Sequence, residues 1–233
     1  YSHYCGSYAC SSGAKGSSRA ALIQPALATG NLHIIANAFV VKLETDGAQK
    51  VKRAIYLAKE GTQKQVKAKL FILAAQAVES SRLLLNSKNE AFPNGLANSS
   101  GAVGKNLLFS GGGMGSGEFD VSHFSQEVLL QPGLFVNRAL KDWYFTPKFK
   151  GGLIDFLFEH ANPIRRANAL KWEGDKLIFW QKLQDKIFQT FTITRVLNFE
   201  IFNDWMPNDN CFVSVDEKYK DKYGIPVANI RIG

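Results

Sequence analysis

The sequence predicts an α+β fold. One region runs a meander of strands into a strand–helix junction, and a second is a largely antiparallel sheet covered by helices. Three observations predict it. Residues 39–70 form short strand-like runs between turn residues, the last alternating apolar and polar side chains. The run "FILAA" at 71–75 is apolar on both faces and breaks at once into the helical pattern "QAVESSRLLL". After residue 116 the chain turns aromatic, with all four Trp (Trp143, Trp172, Trp180, Trp205) set among further strand-like segments.

The elements follow in order. Residues 1–18 are small and polar, with Gly6, Gly13, Gly16 and six serines, and read as a loop whose backbone passes close to something. "SSRAALIQPAL" predicts a short helix stopped by Pro25. "NLHIIAN" predicts a short strand. "AFVVKLETD" and "VKRAIYLAK" predict two more, joined by a turn at Asp46-Gly47. A turn at Glu60-Gly61 leads to a run in which Val66, Ala68 and Leu70 alternate with Lys67 and Lys69. That is the pattern of a half-buried strand. From Leu70 the alternation stops, as in a parallel-sheet strand covered on both faces, and a helix over 78–87 follows.

The Gly/Asn/Ser-rich stretch "NEAFPNGLANSSGAVGKNLLFSGGGMGSGEFD" comes next, and composition and charge both shift near residue 116. The chain is therefore divided into 1–116 and 117–233. In the second part, 126–138 and 190–203 read as strands, while "GLIDFLFEHAN" and "DKLIFWQKLQDKIF" read as helices. Residues 211–233 read as strand, charged turn, strand. The aromatic side chains are assigned mainly to a core.

The 233 residues are 45% hydrophobic and 21% charged, enough for one large domain or two small ones. No apolar run is long enough for a transmembrane helix, so no membrane span is expected. The start "YSHYCGSYACSSGAKG" has neither the basic segment nor the apolar segment of a signal peptide, and no initiating Met. The net charge of +8 is local. Residues 1–116 hold thirteen Lys and Arg against five Asp and Glu; residues 117–233 hold fifteen of each. The densest part is Lys50, Lys52, Arg53, Lys59, Lys64, Lys67 and Lys69. Few aromatic side chains for base stacking accompany them, so they read as the solvated face of a hairpin and no nucleic-acid partner is expected. Cys5 and Cys10 have C-x4-C spacing, with His3 near and no second pair to complete a tetrahedral site. No metal is expected; a disulfide and two structural thiols remain open.

Four stretches together resemble the glucose–methanol–choline (GMC) flavoprotein oxidoreductases. "CGSYACSSGAKGSSRAALIQPALATGNLHIIANAFVVKL" resembles the family's small-residue run ending in G-A-K-x-S, then a proline-bearing segment, T-G-N-L and a strand. "AKLFILAAQAVESSRLLLNS" resembles A-K-x-V-I-L-A-A-G-A-x-x-S-P-x-L-L-x-x-S. "NGLANSSGAVGKNLLFS" is similar to G-L-x-N-S-S-G-x-V-G-x-N-L. "MPNDNCFVSVDEKYKDKYGIPVANIRI" is similar to L-P-x-x-x-N-x-V-x-L-D-x-x-x-x-D-x-x-G-x-P-V-x-x-I. The four occur in the family's order; residues 118–200 match only in general character. Bacterial members resembling gluconate or sugar dehydrogenase flavoprotein subunits are the nearest in pattern.

The resemblance implies an α/β remnant of an FAD-binding domain in residues 1–116 and a substrate-domain portion in 117–233. It implies FAD as cofactor in the parent protein, and an alcohol or sugar CH–OH group oxidised by hydride transfer to the flavin. Carried over by position, Ala74, Ala75 and Gln76 lie near the FAD diphosphate or ribityl chain. Glu79 stands at the start of the next helix. Val40 meets the adenine through its backbone, and Gly104 and Asn106 line the way to the flavin.

The departures are Gln76 where glycine is usual, Ser81 where proline is usual, and Cys211 where arginine is common. Cys5 and Cys10 are too few for an Fe–S cluster held by thiolates alone. No G-x-G-x-x-G unit is present, and no C-terminal catalytic His; His3, His33, His123 and His160 match no catalytic motif and read as structural. The chain is therefore expected to be the middle of a larger enzyme, inactive alone, with the N- and C-terminal parts of the same enzyme as its partners. The alternative is a non-enzymatic binding protein that reuses the substrate-domain sheet.

Overall fold

The computed structural model of the chain describes residues 16–46, 50–127, 136–148, 150–157 and 163–233. His3, Cys5, Cys10, Gly47 and His160, with the turn, disulfide and metal expectations placed on them, lie outside the described residues. The architecture is α+β, with helices and, among the described residues, four separate antiparallel sheets. The chain divides into two compact units: Tyr1–Leu32 with Ser110–Asp204, and His33–Phe109 with Trp205–Gly233. Both are discontinuous. The single division near 116 that composition predicts does not coincide with these limits, because the last hairpin packs with the early segment.

The unit containing His33–Phe109 begins with three strands: β1 (Phe39–Thr45), β2 (Val51–Leu57) and β3 (Gln63–Lys67), paired antiparallel in that order. Leu43 pairs with Ala54, and both face the core. Next comes the helix Gln76–Asn86, whose first turn carries Glu79, an acid at the favourable end of the helix dipole. It packs Leu83 onto Leu43, Ala54 and Leu96, with Val51, Phe71, Leu84 and Phe92 around them. The strand end and the helix end are tied by Ser87, 0% exposed: its hydroxyl accepts from Leu43 N–H (2.9 Å) and donates to the Leu83 carbonyl (2.7 Å). The unit ends in the hairpin β10 (Phe212–Lys220) and β11 (Pro226–Arg231). A second small core of Leu107, Cys211 and Val213 joins this hairpin to the loop before it.

The other unit opens with one turn of π-helix, Arg19–Ile23, continuing into α1 (Gln24–Ala28). Pro25 does not stop this helix. It sits at the start of the α-helical turn, where its missing N–H costs nothing. The main sheet has the order β4-β9-β6-β5: β4 (Ser110–Asp120), β5 (Val136–Leu140), β6 (Leu153–Leu157) and β9 (Thr194–Asp204). The Gly-rich stretch is thus a strand. At Gly112 a Cβ would run into the Ile201 carbonyl, and at Gly115 into the Phe199 ring, so glycine is what lets β9's large side chains close over β4. A short hairpin, β7 (Trp172–Glu173) and β8 (Lys176–Leu177), and the helices α3 (Pro163–Ala169) and α4 (Trp180–Phe188) complete the unit. The helix Gln76–Asn86 is α2 in this numbering.

Several expectations are corrected. "NLHIIAN" forms no strand; residues 31–35 have no regular structure. Residues 70–75, read as a buried parallel strand, pair with no strand among the described residues. Phe71 turns into the core while Leu70 and Ile72 stay 76% and 84% exposed. "GLIDFLFEHAN" gives the strand β6, not a helix: Phe156 and Ile154 face β9 partners Phe199 and Ile201, so cross-strand pairing overrides a short ambiguous run. "DKLIFWQKLQDKIF" splits into β8 and α4, and 189–193 is a π-helical turn before β9 begins. The aromatic residues of this half are not mainly core: Trp143, Phe145, Trp172, Phe179 and Trp180 are exposed.

Candidate functional site

Residues 73–81 and 104–108, far apart in sequence, meet in one cavity of about 610 Å³ within the unit His33–Phe109 with Trp205–Gly233. That volume is in the range of small-ligand pockets. Four of the seven sequence-derived site residues line it: Ala74, Gln76, Gly104 and Asn106.

One wall is the N-terminal end of α2. Ala75 is the residue preceding the helix, and its N–H donates to Ser80 Oγ (3.2 Å). Ser80 keeps its own O–H proton for another acceptor. Ser81, in place of the usual proline, turns its hydroxyl back to the Ala77 carbonyl (2.8 Å). Gln76 has φ +57°, the left-handed region that glycine adopts without strain and other residues adopt at a cost of about 1–2 kcal/mol. This explains why glycine is the residue expected there. The side chain compensates in part: Gln76 Oε1 accepts from Val78 N–H (2.9 Å), satisfying one of the first-turn donors of α2.

The opposite wall is held by β10. Val213 N–H donates to the Gly104 carbonyl (2.7 Å), and Leu107 N–H to the Cys211 carbonyl (2.9 Å). Gly104 has φ +83°, and a Cβ there would collide with the Val213 carbonyl oxygen. Its glycine is therefore demanded by the backbone clamp. Asn106 also takes a positive φ, +53°, a conformation asparagine tolerates better than most side chains. Cys211 is a buried thiol in the small core, and accepts no role at the cavity surface.

The remaining site residues stand apart. Ala75 lies between two lining residues without lining the cavity itself. Glu79 is one helical turn on and ion-pairs with Arg82 (3.4 Å). Val40 sits on β1 beside a register shift between Val40 and Lys42, partly exposed, and does not line this cavity.

Two residues that sequence reasoning missed organise this unit. Arg82, 8% exposed on α2, reaches Asp221 Oδ2 (2.6 Å) and the carbonyls of Pro226 (2.8 Å) and Ile225 (3.3 Å). Asp221 in turn accepts from the N–H groups of Tyr223 and Ile225, closing the β10–β11 turn. Burial alone pushes the Asp221 carboxyl up, but Arg82 and these two N–H groups outweigh it and hold the carboxyl below its ordinary value. The signal was available: an arginine inside the leucine pattern of α2 needs a buried acid, and the D-x-x-G of the last motif supplies one. The other missed residue is Lys105, which lines the cavity and has its ammonium 4.7 Å from the centre of the Phe212 ring.

Among the described residues no group of three or more His, Cys, Asp or Glu could hold a metal ion, and no helix is long and apolar enough to cross a membrane. Of the basic hairpin residues, Lys52, Arg53 and Lys64 pair with Asp46, Glu44 and Glu60.

Residues 1–109 match the family described as GMC oxidoreductase. The chain is 28% identical over 199 residues to the fructose dehydrogenase large subunit of Gluconobacter japonicus, covering 83% of this chain and 34% of that protein. It is 30% identical over 160 residues to 6'''-hydroxyparomomycin C oxidase of Streptomyces lividus, covering 66% of this chain and 29% of that protein. To 2-methyl-1,2-propanediol dehydrogenase of Mycolicibacterium austroafricanum it is 26% identical over 182 residues, covering 73% and 30%. The chain thus spans about a third of the length of the curated relatives it matches. Residues 1–109 are thus the stretch that carries the GMC oxidoreductase match.

Proposed function

We propose that the chain is part of an FAD-dependent oxidoreductase that oxidises a CH–OH group of an alcohol or sugar, with the cavity between α2 and the 104–108 segment facing the cofactor. The observation that carries this reading is the meeting of Ala74, Gln76, Gly104 and Asn106, drawn from two separate motifs, in that one cavity. The relatives' names, a sugar dehydrogenase, an aminoglycoside oxidase and a diol dehydrogenase, point to the same reaction class.

The residues present fit a polar, acceptor-rich stretch of such a cofactor. Ala74 and Ala77 keep the floor small, while Gln76 Nε2, Ser80 Oγ and the Lys105 ammonium offer donors. When bound, the flavin supplies the hydride acceptor. What the chain's own residues do is bind and orient. On this reading Ala74, Ala75 and Gln76 lie along the diphosphate or ribityl chain, and Glu79 steadies the start of α2. Gly104 and Asn106 line the way to the flavin, and Val40 offers backbone N–H and C=O to the adenine. Residues 1–116, backed by the β10–β11 hairpin, serve the cofactor and the rest of 117–233 the substrate, with the base for the hydroxyl proton supplied by another part of the enzyme. Its partners are the remaining parts of the enzyme and the alcohol or sugar.

The test is to express the complete reading frame that contains this chain and record its visible spectrum with and without alcohols and sugars. A flavin band that bleaches on adding substrate supports the reading. A complete protein with no flavin after reconstitution with FAD overturns it, and leaves a binding protein on the same sheet. The 233-residue chain alone is expected to retain FAD weakly or not at all.

A further inference from the structure

Lys105, Phe212 and Arg231 stand in one row. Lys105 forms an antiparallel bridge with Phe212, and Phe212 is the register partner of Arg231 across β10–β11. Directly opposed residues of antiparallel neighbours point to the same face, so two cations flank one aromatic ring on one side of the sheet. The Lys105 ammonium is 4.7 Å and the Arg231 guanidinium 5.8 Å from the ring centre. The two charges are therefore within about 11 Å of each other, close to one screening length at 0.1 M salt. Neither side chain has a carboxylate or hydrogen-bond partner among the described residues, whereas Lys52, Arg53, Lys64, Lys88, Lys150 and Lys182 are all ion-paired.

A second cavity, of about 620 Å³, opens on the Lys105 side of the ring. Its polar lining is Lys88, Asn94, Asn98, Ser99, Ser100 and Ser214, with no carboxylate. Asn98 is occupied: it donates to the Asn94 carbonyl and accepts from Val103 N–H. The side chains of Asn94, Ser99 and Ser214 have no partner among the described residues. Two like charges gathered without a counter-ion, beside a wall rich in donors and free of acids, make a surface that an anion completes.

We propose that the Lys105–Phe212–Arg231 row, with the Asn94–Ser100 wall, is a binding site for a polyvalent anion of the diphosphate class. A single carboxylate satisfies one of the two cations. A diphosphate has enough anionic oxygens to meet both, including the planar fork of Arg231. Lys105 also lines the cavity that holds Gln76, whereas Arg231 lines neither cavity, so the loss of binding in Arg231→Met is the outcome that separates this site from the flavin reading.

Inorganic pyrophosphate titrated into the 233-residue chain by calorimetry at low ionic strength tests it, with malonate as the comparison. Saturable binding is expected, weakened at least about tenfold in Arg231→Met and in Lys105→Met, each a lost charge-assisted contact. Lys222→Met, which removes a cation resting on the Tyr223 ring instead, should leave binding unchanged. Both Met variants replace exposed side chains, and their melting curves confirm folding. Absence of saturable binding up to millimolar pyrophosphate overturns the proposal, as does wild-type affinity in Arg231→Met. Malonate binding as tightly as pyrophosphate overturns the diphosphate assignment.

Discussion

Replacing Arg82 by methionine keeps most of the side-chain volume beside Phe39 and removes four polar contacts at once. The contact with Glu79 is half-exposed and contributes little. The pair with Asp221 is different, because both groups are largely buried. Removing one partner of a fully buried pair costs about 3–5 kcal/mol. Here Asp221 keeps two backbone N–H donors, and the Pro226 carbonyl keeps Asn86 Nδ2 (3.1 Å), so neither is stripped bare. The expected loss is therefore about 2–3 kcal/mol. With a slope of about 1–3 kcal/mol per molar urea, the unfolding midpoint of this unit should fall by about 1–2 M. Asp221→Asn keeps an oxygen for the Tyr223 and Ile225 N–H groups and should cost less. In the double variant the two losses should be non-additive by about 1–3 kcal/mol. The pH profile gives an independent reading. The Asp221 carboxyl is held below its ordinary 3.8 in the folded chain. Its contribution is present above that value and is lost as pH falls through the lower folded-state value. Arg82→Met removes the main group that lowers it, so the variant's acid-side loss of stability should be shallower. A loss under about 0.5 kcal/mol in Arg82→Met, or strict additivity with Asp221→Asn, would refute the view that this pair clamps the hairpin to α2.

Three further outcomes follow from the same unit. Gln76→Ala keeps the strained φ of +57° and discards the Oε1 contact to Val78 N–H, while Gln76→Gly loses the contact but relieves the strain. Thermal melts should therefore rank Ala below Gly by about 1 kcal/mol, and equal stability would contradict the strain argument. Gly104→Ala should cost about 3 kcal/mol or more, through its positive φ and its collision with the Val213 carbonyl; a near-neutral melt would mean the clamp is not as drawn. Ser87→Ala leaves the buried Leu43 N–H without an acceptor and should cost about 1–3 kcal/mol in chemical unfolding, and full retention of stability would show that Leu43 N–H finds another partner.

The legible parts of the fold were those whose information is local. β1 and β2 are apolar-rich runs between turn residues, α2 carries its leucine spacing and an acid in the first turn, and β10–β11 are broken by a charged turn. Each was readable from its own residues. The run at 66–70, read as a half-buried strand, is instead exposed, and β3 ends at Lys67. The misread segments depend on neighbours. β6 is a short apolar run that fits a helix or a strand equally well, and only the facing Phe199 and Ile201 of β9 decide it. β4 is rich in glycine, which normally signals a loop, and becomes a strand because β9's large side chains need the space. Ala74, Gln76, Gly104 and Asn106, which the family resemblance singled out, line one cavity. Arg82 and Asp221 left a signal that sequence reasoning missed, an arginine within α2's leucine pattern and the D-x-x-G of the last motif, while Lys105 left none, because its contact joins residues about a hundred apart in sequence.

The segment Leu70–Ala75 shows how an apolar pattern can differ from the structure it takes. Phe71 alone turns inward onto Leu43, Ala54, Leu83 and Leu96. Leu70 and Ile72 lie on the opposite face, where burial of each is worth about 1.5–3 kcal/mol if a covering layer exists. A run apolar on both sides is the composition of a strand with a sheet partner at its edge and a layer over its outer face. Among the described residues neither is present, so the backbone of 70–75 is extended without a ladder while its sequence is that of a strand. The same segment delivers Ala74 and Gln76 to the cavity. The geometry of that wall is set at one end by α2, which is anchored through Arg82 and Ser87. Arg82→Met should therefore loosen the wall, and faster hydrogen exchange at residues 71–76 is the quantity that reads it.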